Sequence, residues 1–184
     1  MTDVTAPFRG AIDDDRLRAV ADAWWRCRAD ALVPCWRHMP RTPLNPLLPA
    51  VLLCRHVPAE RSFRLETLTD DLRGLTRLPI DGKRIEQLLP ADRLSEVRGN
   101  LRSVIDGPAI EIIKVWDLAK PERGVVEERL LMPVRSEGRG GADLVLAIYA
   151  RLDPHAAGWL PITQELVSVK RVSLVDLAAP VGRS

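Results

Sequence analysis

No stretch of the 184 residues stays apolar for the roughly 18 to 20 positions that a bilayer-crossing helix needs. The opening residues also lack the basic start and apolar core of a secretory signal. Both absences point to a soluble cytoplasmic protein with no membrane partner. Cysteine is scarce: Cys27, Cys35 and Cys54 are the three, unequally spaced, with no C-x-x-C pair to hold zinc or run redox exchange. A reducing compartment suits them. Charge of one sign is missing too, since the formal balance is +2 and no lysine or arginine block gathers it, although Arg far outnumbers Lys. A nucleic-acid footprint needs such clustering, so DNA and RNA are excluded as expected partners.

Motifs of catalysis are equally wanting. There is no G-x-S-x-G, no H-E-x-x-H and no phosphate-binding loop; Gly82-Lys83-Arg84 lacks both the earlier glycine and the hydroxyl residue after the lysine. Ser95 and Ser103 have no histidine near them in sequence. His38 stands beside Arg37 and near Cys35 but has no third ligand at workable spacing, so no metal site is expected. Cys54, inside an apolar run, reads as a small core residue.

What is present is the composition of one globular domain, 46% hydrophobic and 28% charged. Asp13, Asp14 and Asp15 place negative charge where a helix begins, and Leu17, Val20, Trp24 and Ala31 recur at helical spacing, predicting an amphipathic helix from about Asp14 to Ala31. Prolines at 34, 40, 43, 46 and 49 then forbid a long helix. Val51 to Val57 and Arg61 to Leu68 read as two strands of a hairpin. The period changes over the middle, where short helical pieces are predicted at Asp70 to Thr76 and Arg84 to Leu89. A longer helix from Asp92 to Ile105 is closed by Gly107-Pro108. Ile110 to Asp117, Val125 to Val134 and Asp143 to Leu152 are strand-like, joined by loops rich in Pro and Gly. Leu166 to Leu177 fits strand or helix equally. Strand, strand, helices and three strands make an α+β protein with helices segregated to one side of an antiparallel sheet.

This order resembles the PAS domain, in the form found as short stand-alone bacterial proteins. The residues that carry the likeness are Trp25-Arg26, the segment Pro43 to Pro49, the strand Val51 to Val57, Phe63-Arg64-Leu65, Asp81-Gly82-Lys83, Ile85 and Leu88-Leu89. The likeness runs from about Ala23 to Asp153. One departure stands out: the family's second strand continues Arg-Leu-x-Gly-Thr, whereas this chain reads Arg64-Leu65-Glu66-Thr67-Leu68 and has its glycine at Gly74. Without a glycine there, the backbone cannot approach a pocket as closely.

The resemblance implies a five-stranded antiparallel sheet of order 2-1-5-4-3, helices on one face, and a cavity between them. The chain then divides into an N-terminal helical extension (1–33), a PAS-like domain (34–153) and a C-terminal extension (154–184). Leu65, Leu72, Leu75, Ile85, Leu88, Leu101, Val104, Met132, Leu146 and Ile148 are the residues expected to line the cavity. A flavin-photochemical PAS domain carries a cysteine where this chain has Arg84, Ile85, Glu86 and Gln87. Haem-binding ones commonly use a histidine of the long helix, whereas His38, His56 and His155 lie elsewhere. No cofactor is therefore expected, and the occupant is an unidentified small molecule.

Lys114, Glu127, Glu128 and Arg129 fall on strands expected to be neighbours. They either face a ligand inside the cavity or form cross-strand pairs on a solvated sheet face, the second being the ordinary arrangement. The N-terminal helix either covers the open sheet face of its own chain or pairs with its counterpart in a homodimer through Leu17, Val20 and Trp24. The functional expectation is a non-enzymatic sensory or regulatory module that binds a small ligand and acts through a protein partner in trans. Two alternatives stand beside it: a small isomerase- or hydrolase-like enzyme using Glu66 or Glu128, and a ligand-free interaction module.

Overall fold

A computed structural model describes residues 5–39, 50–67, 80–119, 121–152 and 165–178. Helix α1 spans Asp15–Cys27. Asp14 is its N-cap, accepting hydrogen bonds from the backbone N–H of Arg16 at 2.8 Å and of Leu17 at 3.2 Å. Strands β1 (Ala50–Val57) and β2 (Ser62–Thr67) form the expected hairpin, turned by a short helical segment at Pro58–Glu60 and by Arg61, whose φ of 49° is left-handed. Helix α2 (Ala91–Asp106) ends at Gly107 and Pro108, and Ile85–Gln87 forms one tight turn ahead of it. Strands β3 (Ala109–Asp117), β4 (Val125–Val134) and β5 (Leu144–Arg151) follow. The ambiguous C-terminal run is both things at once, strand β6 (Glu165–Ser173) leading into the short helix α3 (Leu174–Ala178). The predicted helical piece at Asp70 to Thr76 lies outside the described residues.

The strands form one antiparallel sheet in the order β2-β1-β5-β4-β3-β6. Six strands replace the five expected, because β6 pairs with β3 along its whole length, from Ala109 opposite Ser173 to Asp117 opposite Glu165. Part of the expected C-terminal extension is thus integral to the sheet.

Helices cover both faces, which corrects the expectation of helices on one. On one side, Leu17, Val20 and Trp24 of α1 pack on Val51, Leu53, Ile110, Ile112, Leu130, Met132, Leu144, Leu146 and Ile148. On the other, Leu101, Val104 and Ile105 of α2 pack on Cys54, Phe63, Ile113, Val115, Leu131, Val145 and Ala147. Side chains alternate across a strand, so a strand with both faces buried must be apolar nearly throughout. Leu144 to Ile148 meets that demand. Leu144, Leu146 and Ile148 alternate along the strand on one face, and Val145 and Ala147 between them are buried as fully, each at 0% exposure.

Trp24 fastens α1 to the sheet. Its indole Nε1 donates to the Pro133 carbonyl at 2.9 Å, its ring is 0% exposed, and Phe8 meets its edge at 6.5 Å. No described helix is long and apolar enough to cross a membrane.

Candidate functional site

The expected cavity-lining residues do not share one space. Leu65 and Ile85 lie on the α2 side with Leu101 and Val104 of α2 itself, and Leu88 packs with Ile80. Met132, Leu146 and Ile148 point through to the opposite face, beneath α1. The sheet itself stands between the two groups, because residues of odd and even number on β4 and β5 part to opposite faces. Leu72 and Leu75 lie outside the described residues. Leu17, Val20 and Trp24, the expected dimer contacts, are 0% exposed within a single chain. Burial on their own sheet leaves them no surface to offer a partner in this arrangement.

The charged residues of β4 are not on a solvated face either. Glu128 points toward α1 and is 0% exposed. Its carboxylate accepts hydrogen bonds from the backbone N–H of Asp13 at 3.0 Å and of Asp14 at 2.8 Å, and Lys114, its cross-strand neighbour, approaches to 3.9 Å. Lys114 also donates to Asp13 at 2.5 Å. Glu128 thus ties the start of α1 to the sheet, where negative charge complements the helix N-terminus.

Glu127 and Arg129 face the α2 side. Glu127 is 3% exposed and accepts a short hydrogen bond from Arg129 Nε. The Arg129 guanidinium lies 5.7 Å from the centre of the Tyr149 ring, directly across on β5. Tyr149 is the single tyrosine of the chain. Burial pushes its hydroxyl up to about 12, helped by Cys54 and Glu127 and opposed by Arg129. It stays a protonated donor at neutral pH. Tyr149, Leu52 and Leu88 all pack against Ile80, which gives the ring an apolar border. A guanidinium, a phenol and an apolar wall at one place suit a compact ligand with a hydrogen-bond-accepting head and an apolar body. Glu127 neutralises Arg129, so the head need not carry full charge.

Sequence reasoning weighed Glu127 and Arg129 but missed Tyr149, Leu52 and Ile80. The signal was two charges set at alternate positions of a strand otherwise rich in Leu and Val. It became readable only once the opposite face of that strand was known to be buried as well.

Other side chains answer to structure. Glu66 pairs with Arg55 at 3.0 Å. Burial pushes the Cys54 thiol up to about 12 and also raises Cys27, so neither is a ready thiolate. Cys35 is buried in a bridge to Arg135, and His38 beside it is exposed. Among the described residues no group of three or more His, Cys, Asp or Glu side chains could hold a metal ion. Two clefts of about 300 Å³ open elsewhere, one lined by His56, Pro58 and residues 139–143, the other by Ala11, Ile112, Lys114, Ser168 and Lys170.

His56 carries a pH effect. Burial lowers its basicity, and the Arg102 guanidinium, 2.6 Å from Nε2, lowers it further against the weaker pull of Asp106 and Asp143. The unfolded chain therefore binds the proton more readily than the folded one, and stability falls as pH drops below the ordinary value of 6.5. The lowered carboxylates Asp14 and Glu86 titrate under their ordinary 3.8 and 4.5, outside this window. Urea unfolding at pH values on either side of 6.5 is expected to show the decline, and His56→Gln to flatten it.

Compared with known proteins, the chain matches no family model, no curated protein and no solved structure.

Proposed function

We propose that this chain is a non-enzymatic sensory or regulatory module of PAS-like kind, which binds a small ligand at Glu127, Arg129 and Tyr149 and acts on a protein partner in trans in the cytoplasm. The observation that carries this reading is a guanidinium–carboxylate pair set beside the single tyrosine on the α2 face, whose other buried carboxylate, Glu111, is held by Ser103 of α2. A buried ion pair contributes little to stability, so a packed apolar pair would serve a purely structural purpose as well. Two features support the PAS-like assignment: the order β2-β1-β5-β4-β3 within the larger sheet, and α2 crossing the face that carries the cluster. Ligand binding would act by favouring one of two arrangements, which requires unequal affinity for them. The enzyme alternative gains no support from Glu66 or Glu128, because both carboxylates are committed to structural partners.

Native mass spectrometry of freshly purified protein, with its visible spectrum, tests the reading. The expected result is a bound small molecule that is lost in the double variant Glu127→Leu/Arg129→Leu, which removes both charges together and so keeps the fold. A wild-type chain that purifies empty, or a double variant that keeps the same bound mass, sinks the proposal; the empty result favours the ligand-free interaction module. A strong haem or flavin band overturns the absence of a cofactor.

A further inference from the structure

The two edges of the sheet are finished differently. Beyond β2, residues 82–84 run alongside and use its edge groups: Gly82 N–H donates to the Leu65 carbonyl at 2.7 Å, and Leu65 N–H to the Lys83 carbonyl at 2.9 Å. Beyond β6, no described residue does the same. Natural sheets rarely leave a long regular edge open, because its unpaired N–H and C=O groups are a template for another strand. The usual devices against this are proline, a bulge, a very short strand or charged side chains. β6 has none of the first three: it is nine residues long, contains no proline or glycine, and pairs with β3 without a register shift.

Which groups point outward follows from the ladder. Leu174 N–H donates to the Pro108 carbonyl at 2.9 Å, continuing the register that sets Ala109 opposite Ser173. Hydrogen-bonded pairs alternate in an antiparallel ladder, so the even-numbered residues of β6 bond to β3. The odd-numbered ones, 165 to 173, present their N–H and C=O groups to the outside. Val169 stands at their centre and is 49% exposed. Two cations sit on the strand, and neither blocks the edge. Arg171 is folded back, donating to the Ser103 carbonyl at 2.6 Å, and Lys170 stands over the cleft it shares with Lys114.

We infer that β6 is the homodimer contact: a second copy of this chain adds its own β6 antiparallel about a two-fold axis at Val169, joining two sheets of six strands into one of twelve. This register pairs all nine residues of each strand and places Val169 against Val169, Ser168 against Lys170, and Val167 against Arg171. No two cations face each other. Moving the axis one residue to Lys170, or two to Arg171, would set like charges directly opposite, which is destabilising. The strand is thus complementary to itself in one full-length register, which is the argument for a second copy over a foreign strand. This inference stands apart from the ligand-binding reading and replaces α1 as the expected dimer contact.

Sedimentation of the full chain over a wide concentration range, with amide hydrogen exchange read residue by residue, tests it. The expected result is a reversible dimer in which the amides of Val167, Val169 and Arg171 are slowed at high concentration and released on dilution. The even-numbered amides at Ser168 and Lys170 stay protected throughout. Val169→Lys brings like charges together at the axis and should weaken the dimer at least about tenfold. Val169→Pro removes an outward donor without breaking a bond to β3 and should act in the same direction. Unchanged far-ultraviolet dichroism in either variant separates lost pairing from lost folding. A monomer at every concentration, a dimer indifferent to both substitutions, or outward amides that exchange freely in the dimer overturns the proposal.

Discussion

Trp24→Ala is expected to lower the unfolding free energy by about 3–5 kcal/mol, the range for emptying a fully buried large aromatic site. Three losses combine at this position. The ring is 0% exposed and fills the space between α1 and the sheet; its indole bond to the Pro133 carbonyl disappears, leaving that acceptor without its side-chain donor; and Phe8 loses an aromatic neighbour. Trp24→Phe separates these terms, because it keeps much of the ring and removes the N–H, and should cost about 1–2 kcal/mol. Urea unfolding followed by far-ultraviolet dichroism gives both numbers. A loss under about 1 kcal/mol for Trp24→Ala would mean that α1 is not a fixed part of the core.

Removing the Glu128 carboxylate should come next in size. Glu128→Ala leaves the buried N–H of Asp14 and that of Asp13 without their acceptor and takes from Lys114 one of its two carboxylate neighbours. Orphaned groups of this kind cost about 1–3 kcal/mol each at the buried limit, so about 3 kcal/mol is expected for the site. Glu128→Gln keeps a carbonyl acceptor in place and should cost about 1 kcal/mol. The damage should also be local. Amides in α1 are expected to exchange faster in Glu128→Ala while those of β4 and β5 remain slow, since the carboxylate joins the start of α1 to a sheet that holds by its own pairing. Uniform acceleration through the whole chain would refute this division.

Much of the fold was legible because it rests on local signals. The Asp13 to Asp15 run and the Leu17, Val20, Trp24 spacing announced α1, and β-branched runs broken by Pro and Gly announced β3, β4 and β5. What resisted was anything set by the partner of a face. Nothing in Leu144 to Ile148 states whether one side or both are covered, so Leu146 and Ile148 read as a cavity lining when they are the floor beneath α1. The same gap hid the site. Glu127 and Glu128 are adjacent in sequence and alike in chemistry, yet the strand sends one toward α2 and the other toward α1, where one pairs with a guanidinium and the other caps a helix start. β6 was undecidable for a different reason: its alternating residues fit a strand, and the run Leu174–Ala178 beyond it fits a helix, because the chain makes both.

The anchoring of α1 also dictates an order of events during synthesis. The helix is made early, but the surfaces that hold it come from far along the chain: the Trp24 bond reaches over 109 positions to Pro133, and the Asp14 bond over 114 to Glu128. A helix of thirteen residues is marginal alone in water. Until β4 and β5 have left the ribosome, the site that Leu17, Val20 and Trp24 enter is incomplete, and the growing chain carries an unfilled apolar stripe on α1. Contacts of such long sequence separation slow folding, so α1 docks only after strands made well after it, and its stripe depends, for that interval, on whatever shields it.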